Sequence, residues 1–236
     1  MRVHLDYHLG KFAEALELSK RVLADVRARP PENGLINWLG LTAASYCALG
    51  NFEDALGLYF EMSGAAKKLG FKRNQVQAAT DIMATLYDLG RLQEGVELGE
   101  AALTLGEFDV TFPLRYHLAL AYLEQKRFRD ALKQSEAIFA GDSSVNIRSH
   151  TYGLLAELHA ELKQASQVIK ALESGLDLVE PLDHRDARAV MTVAAFKFGR
   201  PEQIDRAKPL AEQLSGEDLP AYLKDDFDQF VRGVLS

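Results

Sequence analysis

The chain has 236 residues, 47% hydrophobic and 26% charged, a net charge of −7 and a single cysteine, Cys47. These figures describe a well-packed globular protein, and the acidic balance argues against a nucleic-acid surface, which would carry a basic stripe. No apolar run is long enough to span a membrane, no signal-peptide layout opens the sequence, and one cysteine permits no internal disulfide, which suits the cytoplasm.

In chain order, the first recognisable unit is the punctuation Leu9-Gly10-Lys11-Phe12-Ala13-Glu14-Ala15-Leu16. It returns 40 residues later as Leu49-Gly50-Asn51-Phe52-Glu53-Asp54-Ala55-Leu56, and 40 later again as Leu89-Gly90-Arg91-Leu92-Gln93-Glu94-Gly95-Val96. Weaker copies begin at Lys126, Lys163 and Gly199. The anchors Phe12, Phe52, Leu92, Phe128, Ala165 and Pro201 are therefore spaced by 40, 40, 36, 37 and 36 residues. Each copy separates two apolar patterns of helical period, such as Leu39, Thr42, Ala43 and Tyr46 before a turn, or Ala131, Leu132, Ser135 and Ile138 after one. The glycine can take the left-handed conformation that ends a helix. The Phe or Leu two residues on fills the gap between the helices, and the small residue three further (Ala15, Ala55, Gly95, Ala131) lets their backbones approach.

These signals predict helix pairs at about 1–9/12–28, 34–48/52–69, 74–89/92–105, 112–125/128–140, 144–162/165–179 and 184–198/201–214. Pro113, Pro201 and Pro220 fall in first turns, where no amide donor is needed. Pro30-Pro31 and Pro181 separate units, and a helix running through Pro209 should kink. A last helix, about 219–234, places Leu223, Phe227, Phe230, Val231 and Val234 on one stripe, as a cap over the end of the stack would. A two-helix unit cannot bury its apolar face alone and must stack on its neighbours.

Ala43, Tyr46, Gly50, Phe52 and Ala55 resemble the tetratricopeptide repeat, and the resemblance extends over nearly the whole chain, strongest in the second and fourth units. It implies an all-α, right-handed α-solenoid of about six helix-turn-helix repeats plus a C-terminal capping helix. The expected organisation is one domain over 1–236, with repeats at about 1–30 (partial), 31–70, 71–108, 109–142, 143–180 and 181–215 and the cap at 216–236. Repeats of 36–40 residues look like those of bacterial signalling and transcription regulators. The short first helix, with Asp6 where an apolar residue is expected, suggests a fragment of a longer protein.

Chemistry is sparse. No phosphate loop or nucleophile elbow is present, and no catalytic residue or cofactor site is expected. His4 and His8 have metal-binding spacing but no third ligand, so no metal site is expected. Glu157 and His159 lie on different helix faces and form no dyad. His159 reads as a satisfied, semi-buried histidine, and Cys47 as a small helix-facing residue.

The resemblance implies a groove lined by the first helix of each pair, where a partner lies as an extended peptide or helix. The implied lining comprises Asn37, Gly40, Ala44 and Cys47; Gln77, Thr80, Ala84, Tyr87 and Asp88; Tyr116, Leu120, Leu123 and Glu124; His150, Gly153, Glu157 and Glu161; and Val193, Phe196 and Lys197. The small residues Gly40, Ala44, Ala84 and Gly153 either admit a ligand backbone or permit tight curvature, and both readings stay open. Asp88, Glu124 and Glu161 repeat one acidic position near helix C-termini, where the macrodipole disfavours anions by roughly 0.3–1 kcal/mol. A solvated acidic face is the alternative. The family's carboxylate clamp of Lys, Asn and Arg is not reproduced, because Asn37 stands alone. The expected partner is a protein or peptide of basic or amphipathic character, anchored near Tyr87, Tyr116 and Phe196; neither nucleic acid nor membrane is expected. The leading reading is a non-catalytic interaction scaffold. The alternative is a sensory module responding to a small molecule or signal peptide.

Overall fold

A computed structural model of the chain describes residues 3, 6–7, 9–28, 33–214, 219 and 221–232. Every regular element among them is helical. The order is α1 (Phe12–Arg27), α2 (Asn33–Ala48), α3 (Phe52–Lys68), α4 (Lys72–Asp88), α5 (Leu92–Leu103), α6 (Thr111–Glu124), α7 (Phe128–Ala140), α8 (Val145–Glu161), α9 (Ala165–Val179), α10 (Arg185–Phe198), α11 (Pro201–Leu214) and α12 (Ala221–Phe227), then a π-helical turn, Asp228–Arg232. Val3, Asp6 and Tyr7 are helical too. His4, His8, Pro30, Pro31, Pro220 and Val234 lie outside the described residues, so the expectations placed on them stay with the sequence.

The turns explain the regular spacing. Gly10, Gly50 and Gly90 adopt φ of 74°, 76° and 71°. Around each, the chain reverses through paired bonds to the last carbonyls of the preceding helix: Gly50 N–H donates to Cys47 O at 2.9 Å and Asn51 N–H to Tyr46 O at 2.9 Å, as in a Schellman turn. The same geometry recurs without glycine. Lys126 and Lys163 both sit at φ 57°, with Arg127 N–H on Tyr122 O at 2.7 Å and Gln164 N–H on His159 O at 2.8 Å. Gly199 departs from the pattern. Its backbone is extended, φ −78° and ψ 165°, and its N–H closes α10 on the Ala195 carbonyl at 2.8 Å.

The chain divides into two compact units, residues 1–121 and 122–236. In the first, α1 packs on α2, α2 on α3, α3 on α4 and α4 on α5, around Leu23, Ile36, Leu39, Leu56, Met62, Ile82 and Leu86. Ala55 is wholly buried, and a Cβ on Gly95 would touch the Met83 side chain at 3.4 Å, which is why both positions are small. In the second unit α7 packs on α8, α8 on α9 and on α10, and α10 on α11, around Leu172, Leu176, Val179, Met191 and Leu210. Helix α11 continues through Pro209.

The expected cap is present, with one change. The helix ends at Phe227 and the chain winds on as a π turn, the wider winding that appears as short insertions within helices. Phe227 and Val231 are fully buried. With Leu219 they cover Ala189, Val190, Val193, Ala211 and Leu214 of α10 and α11, an apolar end that would otherwise meet water.

Candidate functional site

In the first unit, α2, α3 and α4, with Tyr7, contribute to one polar cluster. Asp81 of α4 lies in an otherwise apolar stretch between buried Thr80 and Ile82. It keeps partial exposure, and its Oδ1 accepts from Gln77 Nε2 at 3.0 Å. Burial pushes its carboxyl up to about 7, against the opposing effect of the Gln77 bond. Tyr59 of α3 and Cys47 of α2 share a hydrogen bond and lie within the field of Asp81, as does Tyr7. Cys47 Sγ is 3.5 Å from Thr85 Oγ1. Burial raises the Cys47 thiol and the Tyr7 and Tyr59 phenols. A thiol shifted that way stays protonated and is a poor nucleophile. Asp88, two turns beyond Asp81, is exposed yet also raised by desolvation.

In the second unit, Glu157 of α8 is half-buried and raised by desolvation, with Lys197 of α10 opposing and Glu124, Glu161 and Asp226 reinforcing the shift. The Lys197 ammonium also lies 5.3 Å from the Phe198 ring centre and 5.5 Å from that of Phe230. Two turns earlier on α8, His150 is half-buried and its imidazole lowered by burial; the Asn146 carbonyl lies 2.8 Å from its Nδ1, and Asp186 of α10 and His184 just ahead of that helix lie in its field. The inner stripes of α8 and α10 thus face each other. A Cβ on Gly153 would lie 3.5 Å from Val190 and 3.8 Å from Ala194.

The residues expected in a groove divide accordingly. Gln77, Cys47 and Asp88 join the Asp81 cluster; Glu124, Glu157, Glu161 and Lys197 share one electrostatic environment in the other unit. Asn37 is exposed, and Ala84, Tyr87, Tyr116, Leu120 and Leu123 are half-buried, with Tyr116 edge-on to His117 at 5.6 Å. Phe196 is half-buried against both clusters around α10. Thr80 is a correction: it is 4% exposed, and its hydroxyl donates to the Val76 carbonyl at 3.0 Å, so it belongs to helix packing. Of the two readings of Gly40, close packing is the one with a contact behind it, since a Cβ there would lie 3.3 Å from Met62 Sδ of α3. His159 is held in its turn, Nδ1 2.8 Å from Gln164 Oε1. Asp81, Tyr59 and Tyr7 were not foreseen. The one available signal was an acid within the otherwise apolar run of α4.

Shallow depressions flank the turns at Gly50–Asp54 with Leu89, at Lys126–Asp130 with Leu162, and at Lys163–Val168 with Phe198 and Arg200. They recur at matching places because the turns recur. Among the described residues no group of His, Cys, Asp and Glu could hold a metal ion, and no helix is long and apolar enough to cross a membrane.

No sequence-family model matches the chain, and no curated protein does. Solved structures do match. The Rap conjugation gene regulator of plasmid pLS20, in complex with the Phr* peptide, superposes with a TM-score of 0.71 over 98% of this chain at 14% identity. The TPR-like repeats of a Podospora anserina putative kinesin light chain superpose with a TM-score of 0.59 over 80% of this chain at 20% identity, covering 91% of that protein. The fold is TPR-like. The quorum sensor NprR of B. thuringiensis shares this TPR-like fold, at a TM-score of 0.61 and 16% identity over 93% of the chain. The chain spans 65% of the length of the Rap regulator and 63% of that of NprR.

Proposed function

We propose that this TPR-like chain binds a basic peptide or amphipathic helix along the first helices of its repeats, as a scaffold without catalysis of its own. The observation that carries the reading is the second unit's carboxylate group. Glu124, Glu157 and Glu161, with Asp226 of the cap, share one field in which Lys197 is the opposing charge, and the three glutamates stand on first helices, whose equivalent face takes ligands in the resembling family. Like charges in one field disfavour one another, and a cationic partner relieves that repulsion. The Rap regulator was solved with the Phr* peptide and NprR with its cognate peptide NprX, which supports a peptide as the occupant.

The test is binding to a defined panel of labelled basic, neutral and acidic peptides, extended and helix-forming, against Asp88→Asn/Glu124→Gln/Glu161→Gln. Basic peptides should associate fastest, at a rate that falls with salt. The triple variant should associate more slowly with a flatter salt dependence and unchanged stability. Equal binding of acidic and basic peptides, or an unaffected variant, overturns the reading.

A sensory role is the second reading, favoured by the likeness to two regulators. A sensor changes its dimensions when it binds and a scaffold does not, so small-angle scattering with and without the tightest panel peptide separates them.

A further inference from the structure

The depressions beside the turns recur in place but differ in charge. The one at Gly50–Asp54 carries Glu53 and Asp54, whereas the two in the second unit carry bases. One of these, about 450 Å³, is lined by Phe128, Leu132 and Leu162 with Lys126, Arg127 and Arg129. Its Arg127 is tied to Asp130 at 2.8 Å. The other, about 370 Å³, is lined by Val168, Ile169 and Phe198 with Lys163 and Arg200. Both volumes lie at the small end of ligand-sized cavities. The two adjoin, because Leu162 lines the first and the next residue, Lys163, lines the second. Lys126, Arg129, Lys163 and Arg200 are exposed, and among the described residues none of the four is in an ion pair, unlike Arg127.

The backbone adds two observations. The depressions lie at the N-termini of α7 and α9, and no side chain caps the first turn of either helix, so the positive end of each dipole is open to an external anion. Lys126 and Lys163 also hold φ 57°, where Gly10, Gly50 and Gly90 fill the matching turns. Glycine takes that conformation without strain, so a charged side chain kept there points to a use for it. An apolar lining with a cationic rim matches a ligand that joins apolar groups to anions, and two adjoining depressions match two such groups on one chain.

We propose that this turn edge of the second unit docks an acidic peptide segment of a partner protein. Two apolar side chains fill the depressions, and carboxylates meet Lys126, Arg129, Lys163 and Arg200. The segment is opposite in charge to the groove ligand, and the inference does not rest on the groove reading. The net charge of −7 opposes an acidic partner at long range, so the attraction acts within about a Debye length, roughly 8 Å at physiological salt.

Fluorescence anisotropy with a labelled, blocked Glu-Leu-Asp-Glu-Phe-Asp peptide tests this, with nitrogen-15 NMR of the protein to locate the contact. The peptide should bind, move the Leu162 and Phe198 amide signals, and weaken as salt rises. Its Gln/Asn counterpart, and a version with Ala for Leu and Phe, should each bind at least about tenfold more weakly. Lys126→Gln/Lys163→Gln should weaken the acidic peptide roughly fivefold. Lys126→Gly/Lys163→Gly should do the same without lowering the unfolding midpoint, which separates binding from folding. Equal binding of the Gln/Asn peptide, unmoved Leu162 and Phe198 signals, or unchanged affinity in both double variants overturns the surface. Tighter binding of phosphatidylserine vesicles than of the peptide, or full displacement of the peptide by an equal concentration of octanoate, assigns the edge to a lipid surface or a free amphiphile and overturns the peptide.

Discussion

Lys126 and Lys163 hold the left-handed backbone at φ 57° where the matching turns at Gly10, Gly50 and Gly90 use glycine. A side chain in that region costs roughly 1 kcal/mol, so the array carries this strain at two of its turns. Lys126→Gly and Lys163→Gly should each raise stability by about 0.5–1 kcal/mol in chemical denaturation, less what glycine adds to unfolded-chain entropy. A loss would mean that the lysine side chains do more than cross the turn. Asp81 makes the opposite kind of statement. Its carboxyl titrates at about 7 when folded and near 4 when unfolded. Between those values the folded protein holds a proton that the unfolded chain has lost, so stability falls as pH rises through the window. The full effect above neutrality is roughly 4 kcal/mol at most. Asp81→Asn should flatten the unfolding midpoint across that range and exceed the wild type above it. Parallel curves for the two proteins would show that Asp81 titrates normally.

At the scale of the element, close approach of helices decides which positions must be small. A Cβ on Gly175 of α9 would collide with Met191 Sδ and Cε and reach the Tyr152 Cβ at 3.0 Å. Met191 is fully buried, so it has little room to yield. Gly175→Ala should destabilise by about 1–3 kcal/mol through overpacking, despite alanine's better helix propensity; a stabilised variant would show that Met191 repacks freely. Charged residues also join neighbouring repeats at the surface. Arg73 clasps Asp109 with two bonds of 2.7 and 2.6 Å, and Arg206 reaches both Asp177 of α9 and Glu180 just past its end. Most of these side chains are well exposed, so each such pair is worth at most about 1 kcal/mol. The apolar seams hold the helices together, and the ion pairs help set their register.

At the scale of the whole molecule, an open stack of repeats has ends, and an uncovered end exposes apolar surface. Phe227 and Val231 close this one, both fully buried. Phe227→Ala should cost about 3–5 kcal/mol and promote association through the uncovered face of α10 and α11, read by calorimetry and light scattering. A monomer of unchanged melting temperature would show that the segment only docks there. Net charge of −7 is likewise a whole-molecule property. It favours a cationic partner at long range and leaves the recognition itself to local groups.

The helices were legible because their signals are local: a turn every 36–40 residues, a small residue after it, and apolar period within each helix. Helices α7, α9 and α11 begin and end where those signals place them, at Phe128–Ala140, Ala165–Val179 and Pro201–Leu214. The candidate groove residues rest on the resemblance to a repeat family, which assigns one helix face to the groove, and they stand as a proposal. Thr80 misled because a hydroxyl reads as a surface group until its bond to the carbonyl one turn back is seen. Gly40 stayed open because a missing side chain does not say which neighbour needs the space. Asp81, Tyr59 and Cys47 come from three different helices, and no spacing along the chain could have joined them. Sequence alone determined the repeat, the turns and the faces; tertiary packing decided which acid is drawn from water, because desolvation depends on what neighbouring helices place around it.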